Sequence, residues 1–167
     1  MIFFSIVFFT SITNRKAVFQ NRQQIFLLLA LFAYLRKNKN GYIMLKEGLE
    51  YTSTVVVAPA NCASAVGSGG LDVFATPSMV ALMENAAMNC VAPYLPEGST
   101  TVGAEINTTH IKPSAIGSAI KAIASLVAVE GRKLMFNVEA YEGENCIGKG
   151  THVRFIVDVE RFMAKLK

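Results

Sequence analysis

Cysteine, histidine and tryptophan are scarce in this sequence of 167 residues, which contains three cysteines, two histidines and no tryptophan. Cys62, Cys90 and Cys146 are far apart, odd in number and outside any C-x-x-C pattern. This spacing is typical neither of a zinc site nor of a disulfide framework. We therefore expect reduced thiols and a cytoplasmic protein.

Motifs for nucleotide binding and for serine or zinc chemistry are also missing. The glycine-rich stretch GSGG at 67–70 lacks the third glycine of a dinucleotide-binding fingerprint, because Asp72 occupies that position. No G-x-x-x-x-G-K-[ST], G-x-S-x-G or H-E-x-x-H pattern occurs in the chain. The motifs therefore do not support a nucleotide-binding protein, a serine hydrolase or a zinc protease.

Acidic residues are absent from residues 1–43, which hold six of the sixteen Lys and Arg residues and none of the twelve Asp and Glu residues. The rest of the chain therefore has ten basic and twelve acidic side chains, a net charge of −2. Because the basic character belongs to the N-terminal segment alone, nucleic acid is not an expected partner.

Residues 1–43 form an apolar and basic extension, in which the runs MIFFSIVFFTSI and IFLLLALFAYL flank a polar stretch. Both runs are shorter than the roughly 18–20 residues that span a bilayer. Three interpretations stay open: sequence upstream of a true start at Met44, a membrane-associating segment, or a packed element. Membrane contact is expected only if the extension is present in the cell.

Residues 44–167 have the pattern of a single α+β domain. An apolar helix is predicted with Thr76 as its N-cap and Pro77 at its first position, and Pro93 marks its end. A β-branched segment at 49–58 precedes it and is predicted to be a strand. The small, flexible residues at 61–70 between them are predicted to form a loop.

Segments that alternate between apolar and polar residues follow the helix, at 100–111, 117–129, 132–141 and 145–159. The short turns between the later segments favour antiparallel hairpins. One long helix followed by antiparallel strands predicts a helix wrapped by a sheet, which is the hotdog arrangement. A short helix, RFMAKLK, is predicted to close the chain.

Glu84 is the only charged residue between Pro77 and Leu95, in a stretch that reads as a buried helix. Burying an ionised carboxylate is costly unless it is paired. Helical spacing predicts a narrow stripe of small and polar residues on this helix, formed by Ser78, Ala81, Asn85 and Asn89. Glu84 lies about 100° from Asn85, at the edge of the stripe. It is either a paired residue of a polar seam that faces solvent or a second subunit, or a functional carboxylate.

His110 ends a predicted strand face that consists of Val102, Ala104, Ile106, Thr108 and His110. We expect this face to meet the helix. A histidine in such a place is either a hydrogen-bonded core or rim residue or a functional group. His152 shares a face with Arg154 and is expected to be structural or exposed.

Four segments carry a resemblance to a known family: VFATPSMVALMENAA followed by APYL, GAEINTTHIKP, VEGRKL and IGKGTHVR. They resemble the fluoroacetyl-coenzyme A thioesterase family of hotdog proteins. The resemblance covers essentially all of residues 44–167 and none of 1–43. The threonine of VFAT, the glutamate eight residues later and the histidine twenty-six residues beyond fall where the family has them.

The resemblance implies an acyl-CoA thioesterase in which Thr76, Glu84 and His110 are catalytic and Gly103 lies beside the thioester. Glu84 would be the base or the nucleophile, Thr76 would hydrogen-bond to it, and His110 would assist proton transfer. Neither a metal nor a redox cofactor is implied. The expected assembly is a homodimer with its sites at the subunit interface.

The segment before VFAT departs from the family's fluoroacetyl-specific member, whose aromatic residues there the resemblance associates with a lid. This chain has ASAVGSGGLD instead. A small or medium acyl-CoA is therefore the predicted substrate, rather than fluoroacetyl-CoA alone. The alternative function is a non-catalytic module that binds acyl-CoA in the same pocket. A hydratase is less consistent, because such enzymes usually pair an aspartate with a histidine.

Overall fold

The computed structural model describes residues 45–167. The predicted extension at 1–43 lies outside the described residues. Within the part of the chain that is described, no helix is both long and apolar enough to cross a membrane.

The secondary structure follows the predicted order of one strand, one long helix and four further strands. The long helix α2 ends in a 3-10 turn at Ala92–Tyr94, and another 3-10 turn at Pro59–Asn61 precedes α1. In chain order the elements are β1 (Glu50–Val56), α1 (Ala63–Val66), α2 (Thr76–Val91), β2 (Ser99–His110), β3 (Ala119–Glu130), β4 (Lys133–Glu142), β5 (Asn145–Asp158) and α3 (Val159–Ala164).

The five strands form one sheet in the order β1-β3-β4-β5-β2, and every neighbouring pair is antiparallel. The predicted hairpins join β3 to β4 and β4 to β5. Their turns contain Gly131 and Gly143, whose positive φ angles of 63° and 57° suit glycine. The two edges of the sheet are β1 and β2.

The core lies between α2 and one face of the sheet. The buried residues of α2 are Met79, Met83, Ala86, Ala87, Cys90 and Val91. Every second residue is buried from Ile120 to Leu126 on β3 and from Leu134 to Ala140 on β4, which confirms the predicted alternation over these stretches; beyond Leu126 a register shift interrupts it. These residues are Ile120, Ala122, Ala124, Leu126, Leu134, Phe136, Val138 and Ala140. Because several are alanines, the helix can pack close to the sheet.

Two local predictions before the helix were wrong. Ala75, not Thr76, is the N-cap of α2, and Thr76 is the first helical residue. The segment at 61–70 is not loop throughout, since the helix-forming residues of Ala63–Val66 make one helical turn. Gly67 ends that turn in the left-handed conformation, with φ of 72°.

The predicted helix-facing side of β2 was wrong for its first half. A β-bulge changes the register between Gly103, which pairs with Arg154, and Glu105, which pairs with Val153. The extra residue shifts the alternation by one position, so Thr101 and Gly103 share the inner face with His110. The alternation of apolar and polar residues in a sequence does not reveal a bulge, and this bulge turns Gly103 toward the helix.

Candidate active site

Thr76 and His110 meet at one end of the helix–sheet interface, because Thr76 begins α2 and His110 ends β2. The Thr76 Oγ1 and His110 Nδ1 atoms are 2.9 Å apart, and the imidazole tautomer decides which of them donates. Burial lowers the pKa of His110, which favours the neutral ring. A neutral ring with its lone pair on Nδ1 can accept the hydroxyl proton of Thr76. The Thr76 hydroxyl therefore interacts with a histidine instead of capping the helix.

Glu84 lies on α2 opposite Gly103 and is less buried than the helix pattern predicts, because 40% of its side chain is exposed in one chain. Its Oε1 atom lies 3.6 Å from His152 Nε2 and 3.8 Å from Arg154 Nη1. A Cβ atom on residue 103 would come within 2.5 Å of the same oxygen. Gly103 thus leaves the space that this carboxylate occupies.

His152 and Arg154 form a buried polar cluster with Thr101 that sequence reasoning missed. His152 is only 1% exposed and Arg154 only 6%. Arg154 donates from Nε to Thr101 Oγ1 at 2.8 Å, from Nη2 to Thr101 O at 2.7 Å and from Nη1 to His152 Nε2 at 3.1 Å. Burial lowers the pKa of the Arg154 guanidinium, while the nearby Glu84 carboxylate raises it. The shared face of the two residues was readable from the sequence, but its position opposite Glu84 was not.

The three residues implied as catalytic do not meet within one chain: Thr76 and His110 lie together, and Glu84 lies apart from them. Eight residues of helix put Glu84 about 12 Å from Thr76 along the axis of α2. All three residues are described, and no hydrogen bond or ion pair joins Glu84 to Thr76 or to His110. The hydrogen bond between Thr76 and Glu84 that the resemblance implies is therefore not formed within one chain.

The two places offer complementary chemistry. A carboxylate can act as a nucleophile or as a general base, and a threonine–histidine pair can move a proton. The first backbone N–H groups of an α-helix have no partner inside the helix. In α2 Pro77 has no N–H and Met79 N–H donates to Ala75 O, so Thr76 and Ser78 are the residues whose N–H groups could serve an oxyanion. Groups of these kinds can support an acyl-transfer or hydrolysis reaction.

An antiparallel sheet around one long helix is the hotdog arrangement, and a carboxylate, a threonine and a histidine on the facing sides are groups that a thioesterase of this class could use. The family model described as fluoroacetyl-CoA-specific thioesterase matches residues 57–160. The fluoroacetyl-CoA thioesterase of Streptantibioticus cattleyicolor is 42% identical over 96 residues, which are 58% of this chain and 69% of the relative. The chain therefore belongs to the fluoroacetyl-CoA-specific thioesterase family, which confirms the resemblance seen in the sequence.

Solved structures confirm the hotdog fold. A structure of the fluoroacetyl-CoA thioesterase is 35% identical to this chain with a TM-score of 0.70, and the match covers 74% of this chain and 96% of that one. A thioesterase superfamily member from Thermus thermophilus is 28% identical with a TM-score of 0.68, covering 74% of this chain and 91% of that one.

Proposed function

We propose that this protein hydrolyses the thioester bond of small acyl-CoA molecules and releases the free acid and coenzyme A. The observation that carries the proposal is the Glu84 carboxylate, which lies beside both Gly103 and the buried Arg154. Family membership supports the same reaction. A threonine-to-serine variant of the solved fluoroacetyl-CoA thioesterase forms a complex with acetyl-CoA.

In the proposed reaction the thioester carbonyl lies against Gly103, within reach of Glu84. A Glu84 oxygen either attacks the carbonyl carbon, forming an anhydride that water then cleaves, or takes a proton from a water molecule that attacks instead. In both routes the C–S bond breaks and the thiolate of coenzyme A leaves. The Thr76–His110 pair gives this thiolate a proton and regains one from the water molecule that is consumed, so the products are the thiol of coenzyme A and the free acid.

The site needs a second copy of the chain in this proposal, because Glu84 and the Thr76–His110 pair are distant within one chain. Strand β2 is a sheet edge of twelve residues and carries Gly103. A free edge of this length offers unpaired backbone groups to another strand. Exposed residues of α2, Ala81 and Asn85 among them, provide a second contact surface. A homodimer in which Glu84 of one copy faces Thr76 and His110 of the other would complete the site.

Mixing two inactive variants tests this shared site. Glu84→Gln and Thr76→Val homodimers are each expected to be nearly inactive. After subunit exchange, half of the dimers hold one copy of each variant, and one of their two sites is intact. Turnover should then recover to about a quarter of the wild-type value, as the symmetry of a dimer requires. Mixtures that stay inactive, with subunit exchange demonstrated by mass spectrometry, would contradict the shared site.

The acyl group is proposed to be small, without a requirement for fluorine. Between Val57 and Phe74 the chain has no aromatic residue, and Phe74 itself is buried, with 2% of its surface exposed. The segment is instead built from the 3-10 turn and α1, and the Ser64 hydroxyl donates to Asp72 Oδ1 at 2.5 Å. An aromatic cover over a fluoromethyl group therefore has no counterpart in this part of the structure.

A panel of acyl-CoA thioesters tests the function. Free-thiol release should be measured with the full-length protein on acetyl-, fluoroacetyl-, butyryl- and octanoyl-CoA. We expect turnover on the short chains, with kcat/KM for acetyl- and fluoroacetyl-CoA within about tenfold of each other, since a single small substituent in a pocket discriminates only modestly. Binding without thiol release would favour the non-catalytic acyl-CoA-binding module instead.

A reducing compartment is part of the proposal. Cys62, Cys90 and Cys146, the three cysteines of the chain, are all free. Burial, as the main cause, raises the pKa of the Cys90 thiol, so it is a poor candidate for disulfide exchange. These features support the cytoplasm as the compartment.

A further inference from the structure

His152 is a buried histidine that the proposed reaction does not use directly, although it lies 3.6 Å from Glu84 Oε1. It is in the middle of β5, and its ring packs against Phe136 of β4 with centroids 6.5 Å apart. Its Nδ1 atom lies 2.7 Å from the backbone oxygen of Glu105, and its Nε2 atom lies 3.1 Å from Arg154 Nη1. Both ring nitrogens therefore have a fixed partner.

The two partners together determine the protonation of the ring. A backbone carbonyl oxygen can only accept, so Nδ1 must carry a proton and donate to Glu105 O. A guanidinium nitrogen can only donate, so Nε2 must hold a lone pair and accept from Arg154. Only the neutral ring with its proton on Nδ1 satisfies both contacts.

The surroundings of His152 agree with a neutral ring. Burial is the largest cause that lowers the pKa of His152, and the positive charge of Arg154 acts in the same direction. The carbonyl of Glu105 and the carboxylate of Glu84 act in the opposite direction. The charged groups that face the ring are thus Arg154 from its own strand and Glu84 from α2.

The orientation of Arg154 depends on this acceptor. The other two hydrogen bonds of the guanidinium both go to Thr101, through Nε and Nη2. The bond to His152 is the only hydrogen bond of Nη1, which is the nitrogen nearest to Glu84. Because the guanidinium is planar and rigid, its two bonds to Thr101 hold one edge of the group, and the bond to His152 stops it from pivoting about Thr101 relative to the carboxylate.

We propose that His152 is a positioning residue for the hydrolysis proposed above: as a neutral acceptor it holds Arg154 Nη1 in place, and Arg154 in turn holds the Glu84 carboxylate beside Gly103. His152 does not touch the substrate in this scheme. Its contribution is to kcat, because a carboxylate that is displaced by even about 1 Å reacts much more slowly.

Two substitutions separate the two hydrogen bonds of the ring. In His152→Asn, the amide nitrogen takes the place of Nδ1 and still donates to Glu105 O, but nothing accepts from Arg154. In His152→Gln, the longer side chain reaches the place of Nε2, and its amide oxygen accepts from Arg154. We expect kcat for acetyl-CoA to fall about 10- to 100-fold in His152→Asn. His152→Gln should retain about tenfold more of the activity than His152→Asn, with KM similar in both.

Equal losses of kcat in the two variants, or no loss in His152→Asn, would overturn the proposal. If the wild-type protein releases no thiol, the proposed function is wrong. If the wild-type protein is active and His152→Asn is equally active, only the positioning role of His152 is wrong. The melting temperatures of both variants show whether a loss comes from folding.

Nitrogen NMR of the unmodified protein tests the geometry without any activity. The chain has only two histidines, so a His110→Gln variant assigns both ring signals. We expect the His152 ring to be neutral at pH 7 and protonated on Nδ1. A ring that is protonated on Nε2, or on both nitrogens, would overturn the proposal even if the substituted proteins do not fold.

Discussion

Glu84→Gln is expected to lower kcat for acetyl-CoA about 10³-fold, the middle of the range for the loss of a general base. Glutamine keeps the size of the side chain but cannot take a proton or attack a carbonyl carbon. The affinity for acyl-CoA should change little, because the acyl group and the coenzyme keep their contacts. The rate of free-thiol release gives kcat, and equilibrium binding of a non-hydrolysable acyl-CoA ether gives the affinity.

Glu144→Gln is the matched control, since it makes the same change at an exposed glutamate of the turn between β4 and β5. The control should hydrolyse acetyl-CoA at the wild-type rate. Wild-type turnover in Glu84→Gln would show that the Glu84 carboxylate is neither the base nor the nucleophile of the reaction. Lost turnover combined with lost binding would indicate a role in substrate affinity rather than in the chemical step.

Gly103→Ala is expected to lower kcat about 100-fold, in line with the effect of a misplaced reacting group. The new methyl group would come within 2.5 Å of Glu84 Oε1 and 3.2 Å of His152 Cε1. Glu84 Oε1 is the far end of a flexible side chain, so the carboxylate can move away without disturbing the fold. We therefore expect a large kinetic effect and a small change in melting temperature, measured on the same preparation.

Gly70→Ala provides the control for this substitution. A Cβ atom there would meet no atom within 4 Å, and Gly70 is not among the glycines with a positive φ. It should therefore change neither kcat nor the melting temperature. A Gly103→Ala protein that is fully active would show that the carboxylate works from a different position. One that unfolds would show that the space at Gly103 is structural.

The two substitutions test different properties of the same carboxylate. Glu84→Gln removes the negative charge but keeps the position of the side chain. Gly103→Ala keeps the charge but displaces the carboxylate. If placement depends on Arg154 and His152 as proposed, the effect of Gly103→Ala should resemble that of His152→Asn in kcat and in KM.

Much of the fold followed from local pattern. Pro77 near the start of a long apolar run and Pro93 near its end located α2, because proline fits the first turn of a helix and does not continue one. The alternation of apolar and polar residues predicted β3 and β4 as strands, since neighbouring residues of a strand point to opposite faces. The motifs around Thr76, Glu84, His110 and Gly103 indicated the family, which the comparisons confirmed.

The role of the Thr76 side chain could not be read from the same pattern. A threonine before a proline at a helix start looks like an N-cap, but its hydroxyl contacts His110, thirty-four residues later. The cap position falls on Ala75 instead. A contact over this distance depends on where β2 ends relative to α2, and no local propensity encodes that.

By itself the sequence determined the order of the elements, the alternation in β3 and β4, and the family. Local backbone preference and the burial of apolar side chains act over a few residues and are therefore visible in a sequence window. Only the tertiary structure decided that the bulge after Gly103 turns this residue toward Glu84 and that His152 and Arg154 lie against the same carboxylate. Those positions depend on the pairing of β2 with β5, because strand register is set between distant segments and one extra residue reverses every side chain beyond it.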